Sequence, residues 1–239
     1  MATNERFVVT GDQALRISNA SAELARQLYL QRDCKLDPEH VIATLQNMTE
    51  GKLVPFAGGM RGRFIRTMPI MIGGVSKDEL IEQLAVAHRE LGGYSKSMMN
   101  HNLFTTLAEP EPITLIDLCP ADLGFTDPKN LPTTTELFDV KCLTAWSEAN
   151  LDGYVLDLCP AETGPHLAIQ YKDQPKGEVL WIAMERIPDS DGDPGVFDVE
   201  RRGDGELWLG RGWTPPDDRW GLDSRIVFRL RKVSSASAV

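Results

Sequence analysis

The chain lacks any apolar run near the roughly 18 residues needed to cross a bilayer. Its start, Met1-Ala2-Thr3-Asn4-Glu5-Arg6, lacks the basic-then-apolar pattern of a secretory signal, so a cytoplasmic location is expected, with surface display by another route left open. Cysteine is scarce. Cys34, Cys119, Cys142 and Cys159 form no C-x-x-C pair, and free thiols in a reducing compartment are the default over one disulfide among the last three. His40, His88, His101 and His166 include no pair at metal-ligand spacing. No G-x-S-x-G, Walker loop or dinucleotide fingerprint occurs, and Gly58-Gly59-Met60-Arg61-Gly62, lacking a phosphate-binding lysine, reads as a turn. Positive charge is short as well. A formal net charge of −10 argues against a general binder of nucleic acid or of anionic membrane, and Arg61, Arg63 and Arg66 read as a solvated strand face.

What remains is ordinary globular material: 239 residues, 42% hydrophobic and 25% charged, enough for one large or two small domains. The first hundred residues read mainly as helices, near Ala22–Arg32, from Asp37 with Pro38 at its first position, and from Ser76 to Gly92. Ser76 and Glu79 make a capping box there, with Leu80, Leu84, His88 and Leu91 on one side. Arg63–Ile72 reads as a strand between glycine pairs.

After Glu109-Pro110-Glu111-Pro112 the pattern turns to short apolar runs separated by proline or glycine turns: Ile113–Leu118, Phe138–Leu143, Tyr154–Leu158, Leu167–Tyr171, Val179–Ile187, Val196–Val199, Glu206–Leu209 and Ile226–Leu230. The fold class expected is α+β, a helix-rich part over 1–108 followed by a β-rich part over 109–239. Asp117-Leu118-Cys119-Pro120-Ala121-Asp122 recurs as Asp157-Leu158-Cys159-Pro160-Ala161-Glu162, which reads as a strand ending in a proline turn used twice, with a paired-thiol site as the alternative.

Four of the five tryptophans, Trp181, Trp208, Trp213 and Trp220, fall in the last quarter among Gly-, Asp- and Arg-rich turns. A rigid aromatic frame carrying short polar loops is how a recognition surface is built. Within this block Asp189, Asp191, Asp193 and Glu200 stand at positions 1, 3, 5 and 12 of a calcium-type loop, so calcium is a possible ligand. Pro194 replaces the sixth-position glycine and strand-like flanks replace helices, which favours an acidic hairpin loop and no cofactor.

At Trp208-Leu209, Trp213, Pro216-Asp217-Asp218-Arg219-Trp220 and Ile226-Val227-Phe228-Arg229-Leu230-Arg231-Lys232 the chain resembles the variable proteins of diversity-generating retroelements, in particular uncharacterised members from candidate-phylum bacteria. The resembling stretch runs from about Met184 to Lys232. Such proteins end in a C-type-lectin-like domain closed by a motif similar to "GFRL", here Val227-Phe228-Arg229-Leu230, with valine where many members have glycine. The resemblance implies that 109–239 is such a domain, with a variable region of about 189–232. An error-prone reverse transcriptase would randomise adenine-templated codons there, mostly converting AAY to NNY. No asparagine follows Asn150 and no tyrosine follows Tyr171, and Asp193, Gly195, Asp198, Arg202, Gly210, Asp217, Gly221, Asp223 and Ser224 are all encodable by NNY.

The expectation is a non-enzymatic protein that binds a protein or surface ligand. Those nine positions would be its variable surface, and all but Asp223 are expected on one exposed face, mostly in loops. Trp208, Trp220 and Phe228 would be the buried scaffold. Two alternatives stay open: a copper-dependent enzyme on the related formylglycine-generating-oxidase architecture, which needs paired cysteines, and a calcium-stabilised structural module.

Overall fold

Strand β2 (Phe64–Ile72) follows a short β1 (Leu53–Pro55) and alternates buried Met68, Ile70 and Ile72 with outward Pro69 and Met71, the period of two that half-buried strands require. The computed structural model describes residues 53–55, 64–151 and 153–233. The helices expected near 22–32 and 37–48, the glycine turn at 58–62, Cys34 and His40 lie outside those residues.

Helix α1 (Lys77–Val86) starts at the Ser76 capping box, whose serine oxygen accepts from the Glu79 N–H while Glu79 accepts from the Ser76 N–H. It buries Leu80 and Leu84. It stops well short of Gly92, because His88 takes a left-handed conformation (φ 54°) that ends the helix and feeds strand β3 (Arg89–Leu91). Gly92 instead precedes α2 (Gly93–Asn100), which buries Met98 and Met99.

Strands β4 (Glu111–Leu118), β5 (Tyr154–Asp157), β6 (Val179–Ile182), β7 (Ile187–Pro188), β8 (Pro194–Arg201), β9 (Leu207–Trp213) and β10 (Ile226–Lys232) complete the sheet. Its order is β1-β2-β4-β10-β6-β8-β9-β3, with β5 beside β10 and β7 beside β8. β10 is central: antiparallel to β4 on one side, and on the other parallel to β6 and antiparallel to β5. The repeated hexapeptide ends β4 and β5, the two strands that flank β10, and in both copies Cys-Pro makes the turn that follows.

Two expected strands are helices. Phe138–Leu143 overlaps α4 (Val140–Asn150), which follows a one-turn α3 (Thr134–Leu137); Asp139 caps α4 by accepting from the Cys142 N–H at 2.8 Å, a signal stronger than the local apolar run. Leu167–Tyr171 overlaps α5 (Thr163–Gln170), which is buried from Thr163 to Ala168 and so shows no helical period to read. Gly164 lets α5 reach the sheet, since a side chain there would press into Phe197.

The sheet separates two cores. On one face α1, α2 and α5 pack on Ile72, Leu180, Ile182, Phe197 and Val227; on the other, Leu137 of α3 and Leu143 of α4 pack on Ile116, Leu118, Ile226 and Phe228. Residues 52–239 form one unit. The compositional change at 109–112 falls inside its sheet, where β2 pairs with β4 from Thr67↔Ile116 to Ile72↔Glu111. The architecture is mixed α and β around a large sheet. Among the described residues no helix is long and apolar enough to cross a membrane.

Candidate ligand-binding face

The β8–β9 hairpin turns through 202–206, closed by the Arg202 N–H donating to the Glu206 carbonyl at 2.8 Å. Its register sets Asp198 opposite Gly210, Glu200 opposite Trp208 and Val196 opposite Gly212; on the other side of β8, Trp181 stands opposite Asp198. Directly opposed residues project to one side of a sheet. Trp181, Asp198, Glu200 and Trp208 therefore share a face, and Gly210 and Gly212 form its floor. The glycines are sterically required: a Cβ on Gly210 would fall inside contact distance of both Asp198 oxygens, and one on Gly212 would run into the Trp181 ring.

At one end Trp181 meets Trp220 edge-on, centroids 5.3 Å apart, and the Trp220 indole N–H donates to Thr134 Oγ1 at 3.0 Å. That pair closes the second core where the cover of α3 and α4 ends. At the other end the Arg202 guanidinium lies 3.7 Å from the Trp208 ring centroid. It faces Glu200 at 3.6 Å and Glu206 at 4.0 Å, while the Trp208 indole N–H donates to Glu206 at 3.1 Å.

Between the two ends sits Asp198, only 7% exposed. Among the described residues no donor bonds its carboxylate. Burial pushes its pKa up to about 7, the Glu200 charge adds to this, and Arg202 opposes it. A buried carboxylate without a protein partner costs stability, and such groups cluster where function needs them.

The nine expected surface positions divide. Gly195 and Asp198 lie buried in β8, Gly210 lies half-buried in β9, and Arg202 lies at the turn. Asp217, Gly221, Asp223 and Ser224 lie on the 214–225 loop that carries Trp220, pinned where the Thr134 N–H donates to the Asp218 carbonyl and the Trp220 N–H to the Pro132 carbonyl. Of the two β8 residues, Asp198 stands opposite Trp181, whereas Gly195 faces the other side of the sheet, against Arg211.

Asp193 stands apart, in the Asp189 loop. A single exposed, loop-borne face is therefore not what forms, because Gly195, Asp198 and Gly210 are strand residues whose surroundings are set by the register. Trp220 and Phe228 are buried as expected; Trp208 is only half-buried, being a lid of the hairpin under Arg202. Gly212 and Glu200 belong to the face and were not among the expected positions. The signal for them was Gly210-Arg211-Gly212, two glycines at strand spacing, which mark a close approach.

The acidic loop is organised by a guanidinium. Asp189 accepts from the Asp191 N–H at 2.9 Å and the Asp193 N–H at 3.2 Å, and its carboxylate pairs with Arg211. Arg211 also lies 4.8 Å from the centroid of the Tyr94 ring, whose hydroxyl donates to Asp191 at 3.0 Å. Among the described residues no group of three His, Cys, Asp or Glu is placed to hold a metal.

Elsewhere the buried charges have partners. Asp117 pairs with Arg66 at 2.6 Å and with Arg225, and Arg66 also pairs with Glu178 at 2.9 Å. Burial opposes the Arg66 charge, but Asp117 and Glu178 outweigh it and raise its pKa. Glu162 clamps the loop before β4, accepting from the Leu107 N–H at 2.9 Å and the Gly73 N–H at 3.2 Å. Cys119 and Cys159 are buried and Cys142 is exposed. Burial raises the Cys159 thiol well above its ordinary pKa, which leaves little thiolate for chemistry.

Compared with known protein families, curated proteins and solved structures, the chain matches none.

Proposed function

We propose that this chain is a ligand-binding protein without catalytic activity whose recognition surface is the face around Trp181, from the β8–β9 hairpin to the 214–225 loop. The observation that carries the reading is Asp198: a buried carboxylate to which no donor among the described residues bonds, seated over Gly210 as Trp181 is over Gly212, and between aromatic ends. A fold keeps such a group at a cost of kilocalories, and a ligand that supplies the donor is the simplest return.

In this reading residues 109–239 are a C-type-lectin-like domain of a retroelement variable protein. The antiparallel pairing of β4 with β10 supports it, since it brings the beginning and the end of that segment together in the sheet. So does the placement of Asp217, Gly221, Asp223 and Ser224 on the loop that carries buried Trp220: replaceable positions outside, frame inside. Asp198 and Gly210 touch one another, so diversification there is coupled, and a larger residue at 210 requires a smaller one at 198.

Sequencing the locus tests the diversification. A near-identical template repeat with adenines at these codons, beside a reverse transcriptase gene, is the expected result; a locus with neither refutes it.

A further inference from the structure

The chemistry around Asp198 narrows the ligand. Three carboxylates, Asp198, Glu200 and Glu206, stand at this end of the face against the guanidinium of Arg202. That guanidinium makes its contacts with Trp208, Glu200 and Glu206 and no hydrogen bond to Asp198, and its ion pairs at 3.6 and 4.0 Å lie at the long limit for such contacts. Asp198 lies over Gly210, where no side chain rises from β9, and the Trp181 ring flanks it from β6. The vacant partner must therefore bring several donors and positive charge, and it must be flat enough to lie beside an indole. A guanidinium meets all three demands, whereas an ammonium is a compact, strongly hydrated point charge. Arg202 on Trp208 shows within the chain how this face holds such a group.

We propose that Asp198, seated over Gly210 beside Trp181, receives the arginine side chain of a partner polypeptide, whose guanidinium donates to both carboxylate oxygens. This rests on the reading of the face as a recognition surface. In that reading the preference belongs to this copy, and a copy with another residue at 198 would lose it. Affinity for the arginine group would also rise with pH as Asp198 ionises, with Glu200 and Arg202 the charged groups that face it.

The test has two arms on the full chain. In the first, N-acetyl-arginine amide is titrated and followed by amide NMR shifts of Asp198, Gly210 and Trp208, beside the lysine and citrulline amides. Saturable shifts with arginine, at least tenfold weaker with lysine, absent with citrulline and lost in Asp198→Asn, are the expected result. Equal response to lysine, or arginine shifts that survive in Asp198→Asn, overturns the proposal.

In the second arm, a random peptide library is panned on the wild type, on Asp198→Asn and on a variant with Asp217, Asp223 and Ser224 replaced by alanine. Arginine enriched on the wild type and not on Asp198→Asn supports the proposal. Binders sensitive to the loop variant but without arginine enrichment sink the guanidinium and leave the recognition surface standing. Binders indifferent to both variants sink the surface as well.

Discussion

Replacing Asp198 by asparagine keeps the shape of the side chain and removes its charge, which isolates the cost of burying that charge. The ordinary aspartate pKa of 3.8 rises to about 7 in the fold, chiefly through burial. The folded protein thus holds a proton that the unfolded chain releases between about pH 4 and pH 7. The sign follows: this group contributes a stability that is largest at or below about pH 4, declines as pH rises, and levels out above about pH 7.

A shift of that size corresponds to about 4 kcal/mol as an upper limit. The asparagine amide is buried in the same place without a partner and costs about 1–3 kcal/mol. The variant is therefore expected to be more stable than the wild type by about 1–3 kcal/mol at pH 8, and equal or less stable at pH 4.5. Urea melts across this range, read by tryptophan fluorescence, give the answer, because all five tryptophans lie between 146 and 220. Titrating groups that do not interact with Asp198 act equally in both proteins and cancel in the difference, while Glu200, which does, titrates together with it. A difference that does not vary with pH, or a wild type more stable at pH 8, would refute the reasoning, since the carboxylate would then have a partner.

Other substitutions probe the frame. Trp220→Ala removes a buried ring that contacts Trp181 and Phe138, and is expected to cost about 3–5 kcal/mol, while joint replacement of the exposed Asp193, Asp217 and Asp223 shifts stability by about 0.5 kcal/mol or less per site in the same urea melts. Gly212→Ala drives a methyl into the Trp181 ring, which Trp220 prevents from yielding, for a loss of about 1–3 kcal/mol; Trp220→Ala in the same chain should relieve part of it, giving a double-mutant cycle with measurable coupling. Millimolar calcium or a chelator should leave the melting temperature unchanged, because Arg211 already pairs with the Asp189 carboxylate; a rise with calcium would mean that a native-state site exists.

The sequence showed its elements where local signals agreed with tertiary demands. The Ser76–Glu79 capping box starts α1 as expected, and the glycine-flanked run over 63–72 and the apolar run over 226–230 correspond to β2 and β10. Where burial erases the period the local pattern points to the wrong element: α5 is buried nearly all round and reads as a strand, and in α4 the Asp139 cap outweighs the apolar run beside it. The early stop of α1 at His88 had no sequence cue, since left-handed histidine is uncommon and Gly92 offered a better ending. For the candidate face, the aromatic frame was visible as composition, and Trp220 and Phe228 follow it. The pairing that makes the site, Asp198 over Gly210 beside Trp181, depends on which residues of β6, β8 and β9 stand opposite one another, so only the register reveals it.

The central claim is that the face from β8–β9 to the 214–225 loop is a recognition surface on a tolerant frame. Two display libraries of the full chain test it most directly: one with NNY codons at 202, 217, 221, 223 and 224, the other with NNY codons at the same number of exposed positions on α1 and α2. Both are panned on the same unrelated protein targets after selection for folding. The account predicts that binders arise from the first library at a frequency at least tenfold above the second, with Trp181, Trp220 and Phe228 retained in all of them. Equal yields from both libraries, or loss of folding across the first, would contradict it.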